Sequence, residues 1–358
     1  MILMIFARLR RYMCLLLFCS SLTAQAQTPK APSRALDIQL TKDTVEQVGE
    51  TVNRQYFDAD LAARMNSSLR QRLAEGRYAN ATTAEALASK LTDDLYLLSH
   101  DKHLSVGVYP PTVDGAYSGP GASEQSREES VRTTNGGVQR VEILPGNVGY
   151  LNITAFFSPN EAREAIAGAM HMLRQADALI LDSRENAGGS PDTVALLASY
   201  FFDGPRLPLM DIIPRSGEVQ HYLTQSEILD RDGKRPMYVL TSAHTWSGGE
   251  GIAYILQERH RAEIIGETTV GAANAGKPYK INEPFYVNVP NGRLRTVVRN
   301  SNWEGTGVIP DVAVSAADAL RIAHQHALRQ LLSATPDGSW HRELEQELQK
   351  LEARPEVH

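Results

Sequence analysis

Residues 236–257 read PMYVLTSAHTWSGGEGIAYILQ, and the fold is predicted to form around this stretch. Its apolar, β-rich start at residues 237–240 predicts a buried strand, and apolar residues recur at helical spacing after Gly249. Ser247 therefore stands between a strand and a helix, where free N–H groups can stabilise an oxyanion beside a nucleophile. On the local pattern alone, however, Ser247 fits an ordinary helix N-cap better than a nucleophile.

Composition limits the kind of protein this chain can be. Its 358 residues are enough for one large or two modest domains, and 42% apolar with 22% charged residues is typical of a soluble globular protein. The formal net charge of -6 argues against a general nucleic-acid surface. We therefore expect a globular protein without a nucleic-acid partner.

The N-terminus has the features of a signal peptide. A basic stretch at residues 8–11 precedes an apolar run at residues 12–22, and small residues follow up to Ala26. Residues 1–26 are therefore predicted to be cleaved after Ala26, for export to the periplasm or beyond, and the apolar run is too short for an integral membrane span. Cys14 and Cys19 both lie in this segment, so the mature chain would have neither a disulfide nor a catalytic thiol.

Hydrophobic periodicity divides the remaining chain into four parts. It predicts a helical N-terminal domain at residues 27–100 and a histidine-bearing segment with a surface loop at residues 101–137. Strands alternating with helices predict an α/β core at residues 138–316, and residues 317–358 are predicted to be a helical tail.

One finer prediction concerns the end of the core. Residues 285–289 and 293–298 have strand-like patterns and flank Pro290-Asn291-Gly292. Because Asn-Gly is a strong signal for a tight turn, the two stretches are predicted to form a hairpin.

Five separated segments carry a resemblance to a known family. They are VEILPGNVGYLNI (141–153), LILDSRENAGG (179–189), TSAHTWSGGEGIAY (241–254), IIGETTVGAA (264–273) and EGTGVIPDVAV (304–314). In this order they resemble the C-terminal processing (tail-specific) serine peptidases, most closely the branch of the tricorn protease core and interphotoreceptor retinoid-binding protein. The resemblance implies an α/β, crotonase-like (Clp protease-like) core of βαβ units behind a helical N-terminal domain.

The resemblance also implies site residues. Ser247 falls at the nucleophile position, His103 at the general-base position, and Glu304 where the branch keeps a carboxylate that orients the site. The oxyanion donors would be the N–H of Gly248 and one from Gly188 or Gly189. This division suits the chemistry, because a serine hydroxyl needs a base to take its proton and a carboxylate to stabilise the imidazolium.

The chain departs from the family pattern in three places. Ala272 occupies the position of the lysine that the bacterial processing peptidases use as base; Lys277 lies a few residues late, and His244 is a rival base. Lys102 stands where the tricorn branch has a serine beside its histidine. The segment between the helices and the core, roughly thirty residues, is too short for the PDZ domain of the processing peptidases.

Two functions remain open from the sequence. The first is an exported serine-type endopeptidase or tail-specific peptidase, which forms an acyl-enzyme on Ser247 and acts on unstructured polypeptide segments or C-terminal tails. The second is a non-catalytic retinoid- or lipid-binding protein on the same fold. No cofactor is expected, and no metal either, since the spacing of His100 and His103 has no third ligand nearby. An oligomer is possible.

Overall fold

The structure, a computed structural model, describes residues 36–109 and 124–353. The predicted signal peptide at residues 1–26 lies outside the described residues.

The described residues form nine α-helices. They are α1 (Ile38–Gln55), α2 (Ala59–Ala74), α3 (Ala84–Ser99), α4 (Glu124–Thr133), α5 (Pro159–Met172), α6 (Pro191–Ala198), α7 (Gly248–Glu258), α8 (Ala316–Ala334) and α9 (Ser339–Glu352).

The same residues form eleven β-strands. They are β1 (Ser105–Val108), β2 (Val138–Leu144), β3 (Val148–Ile153), β4 (Ala178–Asp182), β5 (Pro208–Pro214), β6 (Gln220–Leu223), β7 (Met237–Thr241), β8 (Glu263–Gly266), β9 (Ala275–Asn282), β10 (Phe285–Thr296) and β11 (Val312–Ala313).

Six strands make the main sheet, in the order β11-β8-β7-β4-β3-β2. All neighbours are parallel except β2, which runs antiparallel to β3. Every residue of β4 and β7 is buried, because helices α5, α6 and α7 cover one face and α8 and α9 cover the other. This confirms the predicted α/β fold class.

The second sheet joins the N-terminal helices to the rest of the fold. It is antiparallel, in the order β1-β10-β5-β6, with β9 paired to β10. Val287 and Val289 of β10 share one hydrophobic cluster with Val48 of α1 and Leu91 of α3. The predicted helical N-terminal part is therefore present, but it shares its core with this sheet instead of forming a core of its own.

The predicted hairpin around Pro290-Asn291-Gly292 is wrong. These residues lie inside one continuous strand, β10, and the hairpin partner is β9, which precedes it. The register shifts between Pro290 and Gly292, and Gly292 pairs with both Ala275 of β9 and Pro214 of β5. Because β10 pairs with a strand on each edge, the Asn-Gly stretch stays extended, and a bulge forms there in place of a turn.

Two predicted segments also differ in content from the structure. The segment predicted as a surface loop at residues 101–137 contains helix α4, and its residues 110–123 lie outside the described part. The predicted tail is helical, but α8 belongs to the core, since Ala323, Ala327 and Leu328 are buried against the main sheet. A parallel sheet needs cover on both faces, and these C-terminal helices supply the second one.

Within residues 36–109 and 124–353, none of the helices combines the length and apolar character that crossing a bilayer requires.

We expect Leu328→Ala to lower the free energy of unfolding by about 2–5 kcal/mol, because it leaves a cavity in the core. Leu328 is 0% exposed and packs in the same cluster as Leu344 of α9. Urea unfolding measures the loss, and Leu97→Ala, at a leucine 60% exposed, is the matched control. Equal losses in the two variants would mean that α8 is not part of the core.

Candidate active site

Ser247 lies in a sharp turn between β7 and α7, as the N-cap of the helix. Its backbone has φ 50° and ψ -111°, a left-handed conformation that is strained for a residue other than glycine. The Ser247 N–H donates a hydrogen bond of 2.8 Å to Oε2 of Glu250. The serine is thus held by its backbone at the start of the helix.

Glu250 organises the turn around Ser247. Its carboxylate is 0% exposed and also accepts hydrogen bonds from the Thr269 hydroxyl at 2.6 Å and from the N–H groups of Gly271 and Ala272 at 2.5 and 2.9 Å. Burial raises the pKa of Glu250, while these hydrogen bonds oppose the rise. Sequence analysis missed this residue, although Ser-x-x-Glu at 247–250 is a capping-box pattern.

Three glycines lie beside Ser247, but they are not equivalent. The N–H of Gly188 is occupied, because it donates to Oδ1 of the buried Asn186 at 2.8 Å. Among the described residues, the N–H groups of Gly189 and Gly248 have no hydrogen-bond acceptor. A Cβ placed on Gly248 would stand 3.2 Å from the Gly189 nitrogen, so the two groups are neighbours. Of the predicted oxyanion donors, Gly248 and Gly189 are the pair available to a ligand.

The absence of a side chain at Gly188 is required by its surroundings. Its φ is 83°, and a Cβ there would lie 2.7 Å from the Ser247 Cβ and 2.9 Å from the Gly248 nitrogen. This close approach brings the loop after β4 against the serine turn.

His103 reaches the same place from the N-terminal side. It lies between α3 and β1, and its ring packs edge-on against Trp246, with ring centroids 5.3 Å apart. His103, Ser247, Gly248 and Gly189 line one cavity of about 310 Å³. The structure therefore brings the predicted base and the predicted nucleophile to one site.

Two carboxylates stand beside the His103 ring. Glu304 accepts hydrogen bonds from the N–H groups of Lys102, Ala273 and Asn274 at 3.1, 2.7 and 3.1 Å. A ring nitrogen of His103 and one carboxylate oxygen from each of Asp101 and Glu304 lie within 4.8 Å of one another. Glu304 is thus near the ring as predicted, and the structure adds Asp101, which sequence analysis had not singled out.

Burial sets the charge of these groups. It lowers the pKa of His103 to about 4, so the imidazole is neutral near pH 7 and able to accept a proton. Burial and the nearby Glu304 raise the pKa of Asp101 to about 7.

Asp101, His103 and Glu304 are close enough to bind one cation together. However, the carboxylate oxygens of Asp101 and Glu304 already accept hydrogen bonds from the protein. Glu304 receives the three backbone N–H groups described above, and Asp101 receives donors from His103, Tyr56 and Asn274. The donor set suits a hydrogen-bonded network. His100 lies outside this group; its ring packs against Tyr96, with centroids 5.7 Å apart.

The alternative bases lie away from the cavity. His244 and Lys277 do not line it, and the Lys277 ammonium lies over the Tyr279 ring at 5.5 Å. Ala272, at the position of the dyad lysine, is buried. The ammonium group of Lys102 donates a hydrogen bond to the carbonyl oxygen of Val270. The geometry favours His103 over these residues.

The rest of the cavity wall is apolar. Val194, Met210, Leu294 and Trp303 face it next to Ser247. The indole of Trp303 is fixed by its Nε1–H, which donates to the Ala272 carbonyl at 3.0 Å.

The low pKa of His103 predicts a pH-dependent stability difference. Between pH 4 and 6.5, His103 is protonated in the unfolded state but neutral in the folded state. The free energy of unfolding is therefore highest, as far as His103 affects it, above pH 6.5, and it decreases as the pH falls towards 4. Between pH 7 and 5 we expect the wild type to lose about 1–2 kcal/mol relative to His103→Gln.

Urea unfolding at the two pH values measures this difference, with His244→Gln as the comparison for an exposed imidazole. Equal changes in the free energy of unfolding of the wild type and of His103→Gln across this range would contradict a partly buried, neutral His103.

Comparison with known proteins is consistent with this geometry. The model of peptidase family S41 matches residues 147–314, and the model of the N-terminal domain of Peptidase_S41 in eukaryotic IRBP matches residues 37–142. The chain is 28% identical over 173 residues to a carboxyl-terminal-processing protease of Synechocystis, and 24% identical over 175 residues to the carboxy-terminal processing protease CtpB of Bacillus subtilis. Each match covers 48% of this chain but only 39% and 35% of those two proteins.

Solved structures show the same fold at low sequence identity. A lipoprotein from Streptococcus agalactiae matches with a TM-score of 0.53 and 15% identity, covering 84% of this chain and 97% of that one. Mature CPAF and the tricorn protease each match with a TM-score of 0.50 and 13% identity. Each match covers 87% of this chain, together with 96% of the CPAF chain and 37% of the tricorn chain. Because the two family models lie one after the other and the fold agrees with them, the chain belongs to peptidase family S41.

Proposed function

We propose that this protein is an exported serine-type peptidase that hydrolyses peptide bonds through an acyl-enzyme on Ser247. One observation carries the proposal. Ser247, the neutral His103 and the two free N–H groups of Gly248 and Gly189 line a single cavity. A nucleophile, a base and an oxyanion site in one cavity are what acyl transfer requires.

The proposed reaction follows from this arrangement. His103 takes the hydroxyl proton as Ser247 Oγ attacks the substrate carbonyl, and the N–H groups of Gly248 and Gly189 stabilise the oxyanion. His103 then gives that proton to the leaving amine, which leaves an acyl-enzyme. A water molecule, deprotonated by His103, attacks the ester, and Ser247 recovers its proton. Glu304 and Asp101 stabilise the imidazolium that forms in each half of the reaction.

The substrate we propose is a polypeptide bound in an extended conformation. The relatives carry the names of carboxyl-terminal processing proteases, which supports unstructured segments or C-terminal tails as substrates. The basic and apolar pattern of residues 1–26 supports export to the periplasm or beyond. Because the chain matches well under half the length of these relatives, substrate choice has to be tested on this protein itself.

The cavity wall suggests which residue precedes the cleaved bond. Apart from His103, no ionisable side chain lines the cavity among the described residues. An apolar side chain placed against Val194, Met210 and Leu294 would leave water, whereas a charged one would be buried without a partner.

The first prediction concerns the nucleophile. A fluorophosphonate probe should form one adduct on the mature protein, on the peptide that contains Ser247, because a neighbouring base activates that hydroxyl. Mass mapping measures the site, Ser247→Ala removes the adduct, and His103→Gln should slow labelling by at least about a hundredfold. An adduct elsewhere would contradict the proposal, and an unlabelled wild type would return the retinoid- or lipid-binding alternative.

The second prediction concerns specificity. Peptides that differ only at the residue before the cleaved bond should be cleaved at least about tenfold faster, in kcat/KM, with leucine than with lysine or aspartate. Steady-state hydrolysis of the three matched peptides measures this ratio. Equal or faster cleavage after a charged residue would show that the apolar wall does not receive that side chain.

A further inference from the structure

Asp101 is a buried carboxylate that neither donates nor accepts a proton in the reaction proposed above. It is 1% exposed, and each of its oxygens accepts hydrogen bonds. Oδ1 accepts from the N–H of His103 at 3.0 Å, and Oδ2 accepts from the Tyr56 hydroxyl at 3.2 Å and from the Asn274 side-chain amide at 3.0 Å.

These three donors come from three separate parts of the chain. Tyr56 caps the C-terminal end of α1, and its backbone N–H donates a hydrogen bond of 2.9 Å to the carbonyl oxygen of Val52. Asn274 precedes β9, and its backbone N–H donates to Glu304. The Asp101 carboxylate therefore joins the N-terminal helices, the segment that carries His103 and the loop that binds Glu304.

The ring of His103 depends on this backbone connection. Its Nδ1 is buried and has no hydrogen-bond partner within the described part of the chain. Besides its packing against Trp246, the ring is placed by the course of the backbone from Asp101 to His103. A shift of that backbone by about 1 Å would move the base away from Ser247 and slow the reaction.

The cost of this carboxylate argues for such a role. Burial and the nearby Glu304 together raise the pKa of Asp101 to about 7, so keeping this carboxylate ionised costs free energy. A neutral side chain would fill the same space more cheaply.

We propose that Asp101 is a positioning residue: its bond to the His103 N–H places the base beside Ser247, and its bond to Tyr56 makes that placement depend on the docking of α1. The consequence for catalysis rests on the function proposed above, whereas the placement of the ring does not.

The first test measures the pKa of His103 by NMR titration, with the resonance assigned from its loss in His103→Gln. Burial keeps this pKa low in the wild type. In Asp101→Ala we expect it to rise by at least about one unit towards 6.5, because the ring reaches water. If the ring stayed in place, loss of a nearby negative charge would lower the pKa or leave it unchanged, and either result would overturn the proposal.

The second test separates the link to α1 from a general loss of packing. Tyr56→Phe and Tyr78→Phe each remove one hydroxyl from a tyrosine that is 2% exposed in the same hydrophobic cluster. Tyr78 donates to Asp94 at 2.7 Å, away from His103. Tyr56→Phe should raise the His103 pKa and Tyr78→Phe should not. Equal responses would overturn the coupling.

Steady-state kinetics then tests the consequence for catalysis. Asp101→Ala should lower kcat by at least about tenfold with KM changed less than about threefold, because the base and not the binding surface is displaced. Asp101→Asn should recover part of kcat, since its amide oxygen can still accept the His103 N–H. A kcat within twofold of the wild type in Asp101→Ala would overturn the proposal.

The outcomes remain distinguishable from failure of the proposed function. A wild type that hydrolyses no peptide would refute the peptidase function, but the two NMR tests would still decide whether Asp101 places His103. If Asp101→Ala fails to fold, as judged by circular dichroism, the comparisons of Asp101→Asn and Tyr56→Phe with Tyr78→Phe decide instead.

Discussion

The buried carboxylate of Glu250 is the interaction on which the rest of the site depends. It accepts hydrogen bonds from the N–H of Ser247, the hydroxyl of Thr269 and the N–H groups of Gly271 and Ala272. Because an unpaired carboxylate in the core is costly, loss of any of these donors would destabilise the fold. The strained backbone of Ser247 is thereby retained, and the turn that carries it is attached to the loop after β8.

Glu304 holds the next residues of that loop in the same way, although it lies elsewhere in the chain, between β10 and β11. It accepts the N–H groups of Ala273 and Asn274 and, from the N-terminal side, that of Lys102. The loop between β8 and β9 therefore lies between the nucleophile and the base and is held to each by a glutamate. This explains how a serine from the parallel sheet and a histidine from beside the N-terminal helices come to share one cavity.

The parallel sheet supplies the other half of the geometry. Strands β4, β7 and β8 are neighbours and run in the same direction, so the loops that follow them meet at one edge. These loops carry Gly188 and Gly189, Ser247 and the donors to Glu250. The strand before Ser247 was predictable from its apolar, β-rich run and the helix after it from its helical spacing, and the glycine pair was visible as well. The sequence did not predict which of the two glycines keeps a free N–H, because that depends on the hydrogen bond between Gly188 and the side chain of Asn186.

The failures of prediction have a common cause in long-range contact. Pro290-Asn291-Gly292 has the local chemistry of a turn, yet pairing with β9 on one edge and β5 on the other holds it in a strand. The C-terminal helices have an ordinary amphipathic pattern, and α8 becomes part of the core only because it packs on the second face of the main sheet.

By itself, the sequence determined the alternation of strands and helices, the position of Ser247 between them, and the family resemblance that drew attention to His103 and Glu304. Those properties depend on residues close together in the chain or on motifs in a fixed order. Only the tertiary structure decided that Asp101 lies close to His103 and Glu304, that Glu250 holds the serine turn, and that an apolar wall adjoins this turn. Burial and hydrogen bonding are set by neighbours that are distant in sequence, and no local pattern contains them.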